Sequence, residues 1–423
     1  MITEHQRTAG IVIVIILFLL PSLYGQAQSN DSLFVEDMRE EGIQFTQDNS
    51  IKLLMSGKEK FADMFEAIRQ AKSSVHLEYF NFRNDSIAGL LFDILREKRK
   101  EGVEVRALFD GFGNDSNNRP LKKEHLEKLH ADSINIYEFD PIRFPWVNHI
   151  WPRDHRKIVV IDGQIGYIGG MNIALRYVKG VKSQKGDGSC ELWRDTMLRL
   201  EGPVAYALQR AFLVDWYFVD RTLITNRKYY PPFDESILQY GNLAQVVTSS
   251  PITLYPEIMQ GYVRTILAAR RYVYIETPYF LPNEPVLFAL KTAAVGGVDV
   301  RIICPYRSDA RFTDWASRSY LRELHEAGAR VFLYKEGFMH SKLMVCDDAL
   351  STCGSTNVDF RSFENNFEAN VFIYDEGTAL RLKKVFQDDE DLSIALKDVP
   401  GRLHPTFFRR LWESLIRLLS PLL

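Results

Sequence analysis

The apolar and polar positions of the chain form blocks, and these blocks occur twice in the same order. Each copy has an apolar segment with helical spacing, a short apolar strand, a second helix and a glycine that opens the next strand. Their positions are helix 61–71, strand 75–80, helix 87–100 and Gly102 in the first copy, and helix 261–269, strand 273–276, helix 285–295 and Gly297 in the second. Strands and helices joined by short turns that contain glycine predict parallel βαβ units, so the pattern indicates an α/β protein with an internal repeat.

Each copy also carries the same motif downstream of these units. Both motifs read H-x-K-x4-D, and both are followed after six residues by a small-residue turn that ends in Asn. The motif residues are His155, Lys157 and Asp162 with Asn172 in the first copy, and His340, Lys342 and Asp347 with Asn357 in the second. One H-x-K-x4-D occurs by chance in roughly one chain in thirty of this size, so two copies with the same trailing turn indicate a duplicated site.

The motif region has the pattern of a strand pair. Residues 158–161 are apolar, Asp162 and Gly163 provide a turn, and residues 165–168 form a return strand. Because side chains alternate along a strand, a His and a Lys two residues apart point to the same face. A single His or Lys at a strand start is usually a solvated surface residue, and the duplication is what favours a functional role.

Two half-sites that meet across a pseudo-twofold axis can exchange a phosphodiester, which one half-site cannot do alone. One imidazole would attack phosphorus and form a phosphohistidine, while the other would protonate the leaving alkoxide and deprotonate the incoming hydroxyl. The groups assigned to the phosphate oxygens are Lys157, Lys342, Asn172, Asn357, Gly170 and Ser355. The sequence shows no carboxylate cage for magnesium or calcium, so we expect catalysis without a metal or another cofactor.

Each histidine also needs an acceptor that orients its second ring nitrogen. Asp195 and Glu368 are the candidates, because both lie in strands of alternating polar and apolar residues and could point inward. As lone carboxylates they have a simpler alternative role, which is that of surface strand residues.

Composition narrows the choice of partners. The formal net charge is −3, and no run of five basic residues occurs, which argues against a nucleic-acid partner. The four cysteines show no zinc-like spacing, and we expect buried small hydrophobic residues rather than a disulfide framework.

The two ends of the chain differ from the repeats. Residues 11–20 are an unbroken apolar run, so residues 1–28 are predicted to be a cleaved signal peptide or a short uncleaved anchor. The positive charge before the run and the acidic residues after it place the folded part on the extracytoplasmic face. We assign residues 45–228 and 242–400 to the two repeats. Residues 403–423 are predicted to be an amphipathic helix, either on anionic lipid or docked on the protein core.

The motifs resemble those of the phospholipase D superfamily from about Ser50 to the C-terminus, and within it the bacterial cardiolipin synthases. The matching stretches are HRKIVVIDG at 155–163, IGGMNI at 168–173, WRDT at 193–196, ETPYFLP at 276–282, GVDVR at 297–301 and NVDFRSF at 357–363. The chain departs from the family pattern at two points. Family members commonly begin with two membrane helices, and they often have His where this chain has Met197.

The resemblance implies two tandem repeats with pseudo-twofold symmetry, each a mixed, mostly parallel sheet flanked by helices. It implies transfer of a phosphatidyl group between two phosphatidylglycerol molecules at a membrane surface, with release of glycerol. It makes His155 the nucleophile and His340 the acid/base, and it supports Asp195 and Glu368 as orienting residues. In this superfamily the motif aspartates are supporting residues that fix strands and lysines, so Asp162 and Asp347 rank below the His and Lys pairs within the catalytic set.

Two other functions remain open from the sequence. A phospholipase D or a nuclease would use the same residues with water as the acceptor, because transfer and hydrolysis differ only in which hydroxyl reaches the phosphohistidine. A binding module with degenerate sites is disfavoured, since neither copy has lost its His, Lys or Asn. The oligomeric state is not predicted by the sequence.

Overall fold

A computed structural model describes residues 45–143, 152–182, 190–233, 242–253 and 255–423. The predicted signal peptide or anchor at residues 1–28 lies outside these ranges. Within them, no helix combines the length and the apolar character that crossing a bilayer requires.

The described residues of the first half form ten strands and six α-helices. The strands are β1 (Ser50–Leu54), β2 (Ser74–Tyr79), β3 (Glu104–Asp110), β4 (Asn135–Phe139), β5 (Arg153–Asp154), β6 (Lys157–Ile161), β7 (Ile165–Gly169), β8 (Val181–Lys182), β9 (Cys190–Arg194) and β10 (Met197–Glu201). The helices are α1 (Gly57–Gln70), α2 (Ser86–Lys100), α3 (Gly111–Asp115), α4 (Lys123–Ala131), α5 (Arg176–Lys179) and α6 (Val204–Asp220).

The second half repeats this order. Its strands are β11 (Leu243–Ser249), β12 (Tyr272–Glu276), β13 (Phe280–Leu281), β14 (Asp299–Pro305), β15 (Arg330–Tyr334), β16 (Gly337–Met339), β17 (Leu343–Cys346), β18 (Leu350–Gly354), β19 (Val358–Asp359), β20 (Asn366–Tyr374) and β21 (Ser393–Ala395). Its α-helices are α7 (Glu257–Ala268), α8 (Glu284–Val295), α9 (Arg311–Glu326), α10 (Glu376–Asp391) and α11 (Phe407–Arg417).

Local sequence explains where the principal helices begin. The Ser56 hydroxyl accepts a hydrogen bond from the backbone N–H of Glu59, and the Glu59 carboxylate accepts one from the backbone N–H of Met55. Asp85 caps α2 in the same way, and Asp375 caps α10. These side chains satisfy N–H groups that have no partner inside the helix, which fixes the first turn.

Each half builds one mixed sheet, and the two sheets share an order. The first sheet runs β1-β10-β7-β6-β2-β3-β4, and the second runs β11-β20-β18-β17-β12-β14-β15-β21. Along each of these orders, only the three strands of the βαβ units pair in parallel, and the other neighbours are antiparallel. The mixed α/β architecture is therefore confirmed, whereas the expectation of mostly parallel pairing is wrong.

The tight turn after each motif strand explains this correction. Asp162 and Gly163 have φ of 53° and 68°, and Asp347 and Asp348 have φ of 54° and 59°. Two consecutive residues with positive φ form the centre of a tight turn within a three-residue hairpin loop, so β6–β7 and β17–β18 are antiparallel.

One hydrophobic cluster contains residues of both sheets. Ile158 and Val160 of β6 belong to it together with Ala244 of β11 and Val371 of β20, and helix α6 contributes Leu208. This shared core lies behind the motif strands and joins the two repeats. Three of the four cysteines are buried, as expected, but Cys190, which begins strand β9, is exposed.

Candidate active site

The two motif histidines are placed by strands that pair with the opposite repeat. Strand β5, just before His155, pairs in parallel with the start of β20, and the His155 backbone N–H donates to the Phe367 carbonyl at 2.9 Å. Strand β16, just before His340, pairs in parallel with β9, and the His340 N–H donates to the Arg194 carbonyl at 2.7 Å. Each histidine therefore lies beside the residue that follows Phe367 or Arg194 in the other repeat.

That next residue is the orienting carboxylate. His155 Nδ1 lies 2.9 Å from Glu368 Oε1, and His340 Nδ1 lies 2.6 Å from Asp195 Oδ2. Both carboxylates have no exposed surface. A carboxylate on Nδ1 fixes the tautomer and leaves Nε2 for the reacting atom. The structure thus places both sequence candidates in the expected contact, and it assigns each to the histidine of the other repeat.

The two pairs differ in their electrostatics. Burial lowers the pKa of His155 to about 4 against the opposing charge of Glu368. Burial would raise the pKa of Glu368, but the His155 and Lys157 charges and the Ser355 hydrogen bond lower it to about 2. Burial raises the pKa of Asp195 to about 6 in spite of Lys342. Burial and the charges of Lys342 and Lys157 lower the pKa of His340 well below its usual value.

The motif lysines lie directly behind the histidines. Lys157 Nζ donates to the His155 carbonyl, and Lys342 Nζ donates to the His340 carbonyl and lies 3.0 Å from His340 Nδ1. Burial lowers the pKa of Lys157 to about 7 and that of Lys342 to about 8, with nearby carboxylates opposing the shift. Two buried cations beside two histidines make the centre of the site attractive to a phosphate anion.

The histidines open into a cleft of about 460 Å³, which is the size of a small-ligand site. Asn172 and Asn357 line it, as predicted, and the Asn357 side-chain oxygen has no hydrogen-bond partner. Aromatic residues form much of the remaining wall: Phe80, Phe112, Trp193 and Tyr279. Among the described residues, no group of three or more His, Cys, Asp or Glu side chains is arranged to hold a metal ion.

Comparison with known proteins gives this geometry a family. The family described as "Cardiolipin synthase, PLD-like domain" matches residues 64–184 and 262–390, one match in each repeat. The chain belongs to the phospholipase D-like cardiolipin synthase family. It is 36% identical over 400 residues to the cardiolipin synthase of Oceanobacillus iheyensis, covering 94% of this chain and 80% of the relative. It is 38% identical over 384 residues to the major cardiolipin synthase of Bacillus subtilis, covering 90% and 76%.

A solved structure shows the same fold. The phosphatidylserine synthase of Haemophilus influenzae Rd KW20 aligns with a TM-score of 0.69 at 15% identity, covering 92% of this chain and 99% of that one. The two tandem repeats of the family are therefore present here, and the chain is a phosphatidyltransferase of the phospholipase D superfamily.

The motif aspartates of this family member do not reach the cleft. The Asp162 carboxylate accepts hydrogen bonds from the backbone N–H groups of Lys72, Ser73 and Ser74, where β2 begins. Asp347 accepts from three successive N–H groups, those of residues 270–272, in the same way. Each aspartate follows the end of its motif strand that lies away from the histidine. Its carboxylate therefore holds the start of the neighbouring strand, β2 or β12, and not the substrate. These contacts agree with the strand-fixing part of the supporting role that the resemblance implies. The motif lysines hydrogen-bond to the histidine carbonyls and not to these aspartates, so Asp162 and Asp347 do not belong with the groups that meet the substrate.

Gly170 and Ser355 also differ from their assignment to phosphate binding. A Cβ at Gly170 would overlap the Asp195 carboxylate, so this glycine makes room for the group that orients His340. The fully buried Ser355 hydroxyl donates to Glu368 Oε2, on the side away from His155. Both small residues therefore support an orienting carboxylate, and neither lines the cleft.

Sequence reasoning missed several groups that line or support the cleft. The Tyr177 hydroxyl lies 3.4 Å from His340 Nδ1, and Arg176 and Arg361 both line the cleft. The arginines each follow their motif asparagine by four residues, which is a repeat signal that the sequence carried.

Proposed function

We propose that this enzyme transfers a phosphatidyl group from one phosphatidylglycerol to a hydroxyl of another and releases glycerol. The observation that carries this proposal is the pair of oriented histidines that face one cleft in a member of the cardiolipin synthase family. A single displacement is thereby divided into two steps that share one nucleophile and one acid/base.

In the first step His155 Nε2 forms a bond to phosphorus as the bond to the glycerol oxygen breaks, and His340 gives its proton to that oxygen. In the second step the acceptor hydroxyl gives its proton to His340 and bonds to phosphorus, and the phosphorus–nitrogen bond breaks. Lys157, Lys342, Asn172 and Asn357 stabilise the charge on the non-bridging oxygens.

The electrostatic difference between the two pairs supports this division of roles. Glu368 is firmly ionised, so it stabilises positive charge on His155 as the phosphohistidine forms. Burial raises the pKa of the Asp195 carboxyl to about 6, and this carboxyl lies 2.6 Å from His340 Nδ1, so the pair can share a proton as the pH falls toward 6. Such a pair is suited to passing a proton out and taking one back.

The test incubates the full-length enzyme with phosphatidylglycerol vesicles in EDTA and identifies the products by mass. We expect cardiolipin and glycerol, and we expect both to disappear in His155→Ala. His125→Ala is the control, because His125 contacts Asn84 and does not line the cleft. Phosphatidic acid without cardiolipin would make the enzyme a hydrolase, and loss of product in EDTA would contradict metal independence.

We also propose that the C-terminal helix α11 binds the membrane surface. The helix docks through the side that carries Glu413 and Ile416, which are both buried, and Glu413 accepts a hydrogen bond from Arg322 at 2.6 Å. Its apolar side faces outward, with Phe407 and Phe408 74% and 80% exposed. The alternative, a helix whose apolar face packs on the core, does not match this orientation.

The position of this apolar side supports a lipid partner. Trp412 contacts Trp315 of α9, and Phe312 beside it is also exposed. Neighbouring residues of α9 and of the chain end line the cleft, namely Thr313 and Leu423. An apolar surface beside the mouth of a cleft that takes a phospholipid would bring the mouth to the bilayer.

A double variant tests this surface. We expect Trp412→Glu with Leu415→Glu to abolish sedimentation with phosphatidylglycerol vesicles, because two charges enter the apolar face. Phe288→Glu, at a more exposed apolar position on α8, is the control and should sediment normally. Unchanged sedimentation of the double variant would remove the membrane role of α11.

The proposed location is the extracytoplasmic face of the cell membrane, supported by Arg7 before the apolar run and the acidic residues after it. Cys190 is free and exposed, so it reports the compartment directly. We expect a membrane-impermeant maleimide to label it in intact spheroplasts, with Cys190→Ser as the control. Labelling only after lysis would place the folded part in the cytoplasm.

A further inference from the structure

The repeat-equivalent arginines Arg176 and Arg361 both line the cleft but have different neighbours. Arg176 lies over the Trp193 ring at 4.4 Å, and that ring lies 5.0 Å from the His340 ring. The positive charge of Arg176 is also among the causes that lower the pKa of His340, after burial and the charges of Lys342, Lys157 and His155. Arg176 therefore belongs to the acid/base side of the cleft.

Arg361 has other surroundings. It lies 5.8 Å over the Phe112 ring, and its charge interacts with Asp359 and Asp110. Both carboxylates raise its pKa against the larger lowering by burial. Two carboxylates of the protein thus partly balance the charge of Arg361.

Arg176 is not balanced in this way. Across the described residues, no carboxylate forms an ion pair with Arg176, and its buried Nε has no hydrogen-bond partner. Burial raises the pKa of Asp309 and the charge of Arg176 opposes that shift, but the Asp309 carboxylate accepts its hydrogen bond from the Tyr279 hydroxyl, at 2.7 Å. A guanidinium stacked on an indole, with donors directed at a cleft, is suited to binding a phosphate.

The two half-reactions differ in whether a second phosphate lies on the Arg176 side of the cleft. His340 serves both the leaving glycerol and the incoming hydroxyl, so both groups occupy its side of the cleft. The leaving glycerol carries no other charge. The incoming hydroxyl belongs to a second phosphatidylglycerol, whose own phosphodiester anion lies at the other end of the same glycerol.

We infer that Arg176, stacked on Trp193, binds the phosphodiester of the acceptor lipid and selects an anionic lipid over water or a neutral alcohol. The inference rests on the proposed transfer reaction. Arg176 acts only after the phosphohistidine has formed, so its loss spares the first half-reaction and any acceptor without a phosphate.

The experiment supplies phosphatidylglycerol vesicles together with 1-butanol and measures cardiolipin, phosphatidylbutanol and phosphatidic acid in one assay. For Arg176→Gln we expect cardiolipin formation to fall about tenfold to a hundredfold, since one charge-assisted contact is lost. Phosphatidylbutanol formation should stay within about twofold of the parent enzyme, which also shows that the variant is folded. Arg176→Lys should recover part of the cardiolipin, because it restores the charge without the planar fork.

Arg361→Gln is the matched variant from the other repeat, and we expect it to leave the ratio of cardiolipin to phosphatidylbutanol unchanged. A parallel fall of both products in Arg176→Gln would overturn the inference, because it would assign Arg176 to the donor. An unchanged ratio would overturn it as well. A parent enzyme that makes phosphatidic acid and phosphatidylbutanol but no cardiolipin would instead overturn the proposed function.

Discussion

The two halves of the active site are alike in geometry and unlike in charge. Each histidine is positioned by a strand of the opposite repeat, and a buried carboxylate contacts its Nδ1. Glu368 has its pKa held at about 2, whereas burial raises that of Asp195 to about 6. Duplication therefore supplied the positions, and the surroundings divide the roles.

The second difference is what touches each imidazole. Lys342 Nζ and the Tyr177 hydroxyl approach His340 Nδ1 at 3.0 Å and 3.4 Å. His155 Nδ1 is held by Glu368, and the Phe80 ring lies beside the imidazole with 5.1 Å between ring centroids. An imidazole with several polar partners is suited to proton transfer, and one beside a firmly ionised acid is suited to nucleophilic attack.

The largest expected effect is on the reaction rate of the two histidine variants, which we expect to respond differently to a leaving group that needs no proton. We predict that His155→Ala lowers the rate by a factor on the order of 10⁴ or more with any donor, because no covalent intermediate forms. His340→Ala should still release p-nitrophenol in a single-turnover burst from phosphatidyl-p-nitrophenol, since that group leaves without a proton. Stopped-flow absorbance measures the burst, and a burst in His155→Ala but not in His340→Ala would reverse the roles.

The orienting carboxylates come next. We predict that Glu368→Gln slows the same burst by about 10²–10⁴, because the amide cannot balance the charge that develops on His155. Asp195→Asn should slow the burst less than tenfold and slow cardiolipin formation more, since it acts through the proton-transferring partner. Equal effects on both reactions from both variants would show that the halves are equivalent.

A pH profile sharpens the comparison further. The pKa of His155 is lowered by burial to about 4, so kcat/KM for the burst should fall as the pH drops through that region and the imidazole is protonated. Glu368 opposes this lowering, so Glu368→Gln should move the midpoint to lower pH. A midpoint that moves upward would contradict the sign of the Glu368 interaction.

The folded-state pKa of Glu368 also affects stability. Because it lies below the ordinary 4.5, the stabilisation by Glu368 is present above about pH 4.5 and is lost as the pH falls toward 2. Unfolding of the parent and Glu368→Gln by urea at pH 7 and pH 3 measures this, and the difference should shrink at pH 3. A difference that grows at pH 3 would contradict it.

The smallest effect on the reaction rate is expected from the motif aspartates Asp162 and Asp347, which have the same role in both halves. Asp162→Ala and Asp347→Ala each remove the acceptor of three backbone N–H groups, so each should lower the free energy of unfolding by about 1–3 kcal/mol. The burst rate of the folded fraction should change less than threefold. Urea denaturation with the burst assay measures both, and a hundredfold rate loss would return these residues to the catalytic set.

Much of this arrangement could be predicted from sequence because repetition marks it. The βαβ units follow from apolar periodicity, and the histidines follow from a motif that occurs twice. The pairing of Glu368 with His155 could not be predicted, since the two are 213 residues apart and a lone carboxylate carries no local signal. Likewise, the spacing in α11 identifies an apolar face but not whether that face docks or remains exposed.

The central claim is tested most directly by locating the covalent intermediate. The parent enzyme is mixed with phosphatidylglycerol, quenched in alkaline detergent, which preserves phosphohistidine, and digested for peptide mass spectrometry. We predict a phosphatidyl adduct on the peptide that contains His155 and none on the peptide that contains His340. An adduct on His340 would contradict the division of roles.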